Sequence, residues 1–396
     1  MKLAVEGLKK AMSKAVEHHR LRLIELSRKI HTHPESAFQE VRAAGWIGDY
    51  LSSQGFIVDQ GICQLPTAFK ATYGSRRPAI ALIAEYDALP ELGHGCGHNI
   101  IAAAAVGAAV AARQAVDELG GSVVVVGTPA EELQGGKTIM VARRAFDGLD
   151  AAMMVHPGRR NAAVVRTLAC APLEVEFFGR EAHAAASPEQ GINALAALIL
   201  SFNAIDSLRQ HIKSKARIHG IITDGGKAAN IVPAYSAGNF LVRAEDTEYL
   251  EELKDKVLNC FTAAALATGA RLEYRWGERA YAPLQTNHAL AELFTTNLGS
   301  LGYDVEMLDS SLGLGSTDMG NVSQVVPAIH PSIAIAPQDV ILHSSEFAQA
   351  AASERGDQGL VDSAKALAMT VVDLLGQAEA LERVAGEFSE VAKAPV

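Results

Sequence analysis

Three histidines, one cysteine and a pair of glutamates stand where a folded chain could gather them. Cys96 and His98 lie in a glycine-rich loop, Gly93 to His98, between a strand-like run and a helical run. Glu131 and Glu132 follow an apolar run ending near Gly127. His156 follows directly on Ala151 to Val155, and His343 comes soon after Ser332 to Ala336. Three imidazoles, a thiolate and a carboxylate suit zinc or a similar divalent metal. Five ligands exceed what one tetrahedral ion with an open position needs. Two ions sharing the thiolate or a water would use them all, and two-metal sites polarise carbonyls and activate water. Neighbouring side chains on extended backbone point in different directions. That lets Glu132 bind metal while Glu131 serves as general base and then protonates the leaving nitrogen. Each piece alone has an ordinary reading: a buried cysteine is usually a small hydrophobe, and paired glutamates usually lie on a solvated face. Four such segments meeting at one sheet edge favour the metal site over these ordinary readings.

The elements that must position these residues alternate. Residues 13–31 and 37–54 read as amphipathic helices, broken at His33-Pro34. Ala79–Ala84, Ser122–Gly127 and Ala151–Val155 are short continuous apolar runs, the mark of strands buried on both faces. Asn99–Leu119 and Lys137–Ala145 read as helices between them. Strand–helix alternation implies a parallel sheet covered by helices. Ligand sites form past the carboxyl ends of such strands.

From about residue 170 the pattern changes. Leu173–Phe178 alternates like a half-exposed antiparallel strand. Asn193–Ile212 and Thr247–Thr268 read as helices; Arg217–Thr223, Ser236–Arg243 and Arg271–Trp276 read as strands. The order β-α-β-β-α-β is the ferredoxin-like split motif. The α/β pattern resumes near Asn287, with Asp304–Leu308, Ser332–Ala336 and a final helix from about Asp357. The expected organisation is therefore a catalytic α/β domain over 1–169 and 285–396, interrupted by an α+β insert over 170–284.

Composition narrows the function class. The 396 residues suit two domains, and 49% hydrophobic against 20% charged residues mark a globular chain. A net charge of -10 argues against a general nucleic-acid binder. The four cysteines are scattered without a C-x-x-C pair, so no disulfide framework is expected. The first residues do not read as a secretory signal. The longest apolar run, Ile100–Ala112, is shorter than the roughly 18 residues of a membrane span. A soluble, cytoplasmic protein is expected.

The insert carries His183, Asn230 and Arg243, residues that by themselves read as ordinary surface groups. Gly313 to Gly320 is glycine-rich but lacks the ending of a phosphate loop, and fits the wall of a substrate pocket better.

The whole chain resembles the aminoacylase and carboxypeptidase G family of metallopeptidases, in its amidohydrolase branch. The matching pieces are His31 to Glu35, Glu85 to Pro90, Gly93 to Asn99, Glu131-Glu132, His156-Pro157, Ala182 to Ala184, Asn230 to Pro233, Ser316 to Asp318 and His343. The stretch from Glu85 to Asn99 is most similar to p-aminobenzoyl-glutamate hydrolases and β-alanyl-lysine-type dipeptidases. Asn99, where many amidohydrolases have aspartate, carries that similarity.

The resemblance implies a zinc-exopeptidase-like catalytic domain and an inserted lid through which a homodimer forms. It implies two divalent ions per subunit, zinc or manganese, on Cys96, His98, Glu132, His156 and His343, with Glu131 as acid/base. It also implies that His183 reaches the oxyanion from the partner subunit, and that Asn230 and Arg243 bind substrate, Arg243 at a carboxylate. Where many members have a metal-binding His-x-Asp, this chain has Glu85-Tyr86-Asp87. Asp87 is expected to orient a ligand. The expected activity is hydrolysis of an N-acyl amino acid, aryl-amide or dipeptide bond beside a free carboxylate, with no nucleic-acid or membrane partner. The alternatives are deamination of an aromatic amine at the same metals, and a non-catalytic ligand-binding relative.

Overall fold

The computed structural model describes residues 2–308 and 315–393. Gly313 and Leu314 of the glycine-rich stretch lie outside them. The chain divides into two compact units: one holds 2–166, 284–308 and 317–393, the other 167–283 and 315–316.

In the first unit the continuous apolar runs become central strands. Ser122–Thr128 is buried throughout, and Ala79–Glu85 at every position but its first. These two pair in parallel, Ala151–Met153 joins Ala79–Glu85 in parallel, and Ala328–Ile329 follows on. The expected parallel sheet is nevertheless mixed. Phe69–Gly74 runs antiparallel to Ser122–Thr128, and Ile57–Gln60 runs antiparallel to Phe69–Gly74 at the edge. The link from Gln60 to Phe69 is too short for the crossover of about a dozen residues that a parallel pair requires. The edge strand is mostly exposed and lacks an apolar run, so its sequence carries little strand signal.

A second correction concerns the strand expected over Ala151–Val155. It stops at Met153, and His156–Gly158 opens a separate small sheet beside Ser332–Ala334. Pro157 and Pro331 supply no amide hydrogen, and the ladder divides there. Ser332–Ala334, the strand before His343, therefore belongs to this second sheet and not to the main one.

The helix His98–Leu119 is long and apolar enough to cross a bilayer by length and composition, but 89% of its most apolar stretch is buried inside the fold. Its hydropathy reflects packing between the sheet and the helices Lys2–His31 and Glu354–Gly376. Lys2–His31 starts earlier than the expected residue 13, because Val5, Leu8 and Met12 continue its buried stripe. The next helix is Val41–Ser53, shorter than the expected 37–54. The Glu35 carboxylate accepts from the backbone of Arg42 and Ala43 and fixes its start.

The second unit, taken by itself, is a four-stranded antiparallel sheet in the order Arg271–Trp276, Ala169–Phe178, Tyr235–Ala244, Arg217–Asp224. The helices Ala194–Leu208 and Thr247–Thr268 share one core with its inner face, around Phe177, Phe240 and Phe261.

One glycine sets the loop that delivers Cys96 and His98. Gly97 has φ +79°, and a Cβ there would lie 2.5 Å from Pro157 Cγ. Gly97→Ala should therefore cost about 2 kcal/mol from backbone strain and collision together. Urea unfolding checks this, and an unchanged midpoint would contradict it.

Candidate active site

The candidate site of the first unit is assembled where strands hand over to loops. Past Glu85 the chain carries Asp87, then the loop to His98 at the first turn of its helix. Past Thr128 it enters a short helix, Glu131–Gln134, after Ala130 in a left-handed conformation of φ 62°. The glutamate pair thus sits on a helical turn, not on the extended backbone expected. His156 heads its short strand. His343 has φ 60°, and its amide donates to Gly95 O at 3.1 Å, which ties its loop to that of Cys96.

Three overlapping clusters bring the expected ligands together. Cys96, His98 and His156 form one; Cys96, Glu132 and His343 a second; His98, Glu131 and Glu132 a third, each with ligand atoms within 4.8 Å of one another. Cys96 Sγ is 3.4 Å from His156 Nε2, and Glu132 Oε1 is 3.5 Å from His343 Nε2 and 3.8 Å from His98 Nε2.

The rings are turned by their outer nitrogens. His98 Nδ1 lies 3.0 Å from Asp87 Oδ1 and 3.0 Å from the Asp87 carbonyl, so Nε2 faces inward. The other oxygen of Asp87 accepts from the amide of Glu132 at 3.0 Å. One carboxylate thereby aligns a histidine and a glutamate of the same cluster. His156 Nδ1 lies 2.7 Å from the Pro157 carbonyl, again leaving Nε2 inward. Backbone carbonyls and carboxylates behind metal-bound histidines act in this way.

The residues fit a metal on this observation: His98 Nε2 and Glu132 Oε1 are buried and have no hydrogen-bond partner among the described residues. The electrostatics agree. Burial alone would depress His98, but Asp87 overrides it and holds the ring well above its ordinary range. A site that stabilises positive charge at that position suits a bound cation. Burial, then the charge of Glu132, pushes the Cys96 thiol up; a metal ion at the sulfur removes that proton. Burial and the charges of Glu85 and Glu132 also hold the Glu131 carboxyl well above the usual range.

Two partners of this site, Lys137 and His330, carry little sequence signal. Lys137 is fully buried, 2.6 Å from Glu85 Oε1 as an ion pair and 2.7 Å from Asp318 Oδ1 as a hydrogen bond. Glu85 Oε2 is 3.5 Å from His98 Nε2. A lysine in a helical run reads as solvent-facing, and only its helical register toward the sheet would reveal it. His330 is also buried, its ring 5.2 Å from that of His156.

The other three expected residues lie in the second unit. His183 accepts from the amides of Ala185 and Ala186 at Nδ1, 3.3 and 3.1 Å away, which leaves Nε2 as the protonated nitrogen. Ala184 N donates to Asn230 O at 3.0 Å, so the loops of His183 and Asn230 are bridged. Arg243 Nη1 donates to Ser316 Oγ at 3.3 Å, while Arg243 Nε is buried without a partner among the described residues.

Known proteins are similar to this chain. The chain is 38% identical over 400 residues to the Xaa-Arg dipeptidase of Mus musculus, covering 97% of this chain and 93% of that one. It is 37% identical over 298 residues to a p-aminobenzoyl-glutamate hydrolase polypeptide of Escherichia coli strain K12, covering 69% and 61%. Among solved structures, the Bacillus subtilis YXEP protein, a dinuclear metal binding peptidase from the M20 family, superposes with a TM-score of 0.71 at 21% identity, covering 91% and 99%. A putative aminohydrolase from methicillin resistant Staphylococcus aureus gives 0.78 at 20% identity, covering 93% and 100%. These two speak to the fold. The profile of peptidase family M20/M25/M40 matches residues 81–366, a span that runs from the central strand before Asp87 past His343, and the chain belongs to that family.

Proposed function

We propose that this metallopeptidase-family enzyme cleaves the amide bond of a dipeptide or N-acyl amino acid whose leaving amino acid carries a free α-carboxylate. The observation that carries the reading is Glu131, a carboxyl kept protonatable beside His98 Nε2 and Glu132 Oε1, which have no hydrogen-bond partner among the described residues. Two divalent ions, zinc or manganese, held by Cys96, His98, Glu132, His156 and His343, would supply carbonyl polarisation and water activation. Glu131 takes the proton from the attacking water and returns it to the leaving nitrogen. Asp87 and the Pro157 carbonyl hold the His98 and His156 rings in register for this.

The residues of the second unit supply recognition. His183, protonated at Nε2, donates to the oxygen that gains charge, as oxyanion donors do. Asn230 joins it in binding substrate. Arg243, with one buried N–H unpaired among the described residues, binds the substrate carboxylate through its planar fork. The names of the relatives support the substrate class: one specifies a C-terminal arginine and the other a glutamate. These side chains differ in charge, and what they share is a free carboxylate next to the scissile amide.

The second unit acts as lid and as homodimer interface, and residues 170–284 form the inserted domain in this reading. Its support is the edge strand Arg217–Asp224, where Ile221 is 63% and Ile222 44% exposed. An unpaired apolar edge is a template for a second strand. Ile199 and Leu200 extend the exposed apolar surface on the neighbouring helix. The cytoplasm is the proposed location.

Two outcomes are expected. With zinc or manganese present, the enzyme should hydrolyse N-acyl amino acids and dipeptides but not their carboxamides, and Arg243→Ala should raise KM for the acids at least about tenfold. Equal cleavage of acids and carboxamides would remove this role from Arg243. In sedimentation velocity the wild type should run as a dimer and Ile221→Asp as a monomer. A fully active wild-type monomer would refute the interface.

A further inference from the structure

We propose that Glu40 is a positioning residue, whose buried carboxylate braces the turn that presents Glu131 and Glu132. This inference rests on the hydrolytic role given to that turn above.

Glu40 is fully buried, an expensive place for a carboxylate unless its oxygens are satisfied. Three donors satisfy them. Oε1 accepts from the amides of Phe38 at 2.9 Å and Ala130 at 3.0 Å, and Oε2 accepts from Thr67 Oγ1 at 2.9 Å. The Ala130 bond joins segments 90 positions apart in sequence. Ala130 is also the residue that needs holding: at φ 62° and ψ 42° it occupies the left-handed region that residues with a Cβ rarely enter. Its carbonyl accepts from Gly136 N at 3.1 Å, so both its polar backbone groups are fixed. Glu131 follows it directly.

The brace reaches the other half of the cluster too. The Thr67 carbonyl accepts from Tyr86 Oη at 2.6 Å, and Tyr86 stands between Glu85 and Asp87. One carboxylate from the N-terminal segment thus links the Asp87 strand end to the glutamate turn, without touching a proposed metal ligand. Burial pushes the Glu40 carboxyl up to about 7, opposed by its hydrogen bonds. Geometry rather than charge carries the brace, so the neutral isostere should replace it.

The test compares Glu40→Ala, Glu40→Gln and Thr67→Val by amide hydrogen exchange across 130–136, by bound-metal content, and by kinetics on a dipeptide or N-acyl amino acid that the wild type cleaves. Glu40→Ala should exchange faster over 130–136 and lose about 10- to 100-fold in kcat, with KM within about threefold and metal content unchanged. Glu40→Gln should stay within about threefold of wild type in kcat and keep its protection. Thr67→Val, which removes one anchor and no charge, should fall between them. Should Glu40→Ala not fold, the last two variants decide. Wild-type protection and kcat in Glu40→Ala or Thr67→Val would overturn the proposal, as would Glu40→Gln falling as far as Glu40→Ala. If the wild type cleaved nothing, the hydrolase reading would fail, and the exchange data would still decide whether Glu40 braces the turn.

Discussion

Five carboxylates crowd one dry region of the first unit: Glu85, Asp87, Glu131, Glu132 and Asp318 are buried or nearly so. Like charges repel strongly where the dielectric is low. Lys137 is the one buried lysine or arginine among the described residues, and it compensates Glu85 and Asp318 together. Asp87 is compensated by His98 and an amide, and its carboxyl is held near 2 despite burial. That leaves Glu131 and Glu132 beside two inward imidazoles, the half-exposed ring of His343 and a thiol. Carboxylates, imidazoles and a thiol gathered this closely suit a bound cation.

The scaffold serves the same constraint. A carboxylate cluster needs rigid backbone, because relaxation would let the charges separate into water. The strands Ala79–Glu85 and Ser122–Thr128, buried on both faces, end at the cluster, and an alanine-rich helix packed on three sides begins there. Small residues let that helix approach closely: a Cβ at Gly107 would come within 2.6 Å of Leu23. Left-handed backbone at Gly97, Ala130 and His343 turns the loops that carry Cys96, His98, the glutamate pair and His343. Such strain persists only when the surroundings over-determine it.

Much of this was legible in the residues. Ligand types after apolar runs located Cys96, His98, the glutamate pair and His156, because buried parallel strands announce themselves by composition. The helix Thr247–Thr268 and the strand Arg271–Trp276 of the second unit have the bounds expected. What was hidden has physical reasons. The exposed edge strand Ile57–Gln60 carries no apolar pattern, and prolines 157 and 331 divide one expected sheet into two. Lys137 looks like any helical lysine until its register is known. Glu40 precedes a helix, where an acid reads as an ordinary companion of the N-terminus, and its bond to Ala130 is long-range.

In the proposed reaction Glu131 moves protons while its neighbours hold metal. The most direct measurement is Glu131→Gln, assayed for bound metal by elemental analysis and for turnover with zinc or manganese supplied. The variant should bind two ions per chain, as the wild type should, with turnover reduced at least about 100-fold. Undiminished turnover, or loss of metal along with activity, would contradict it.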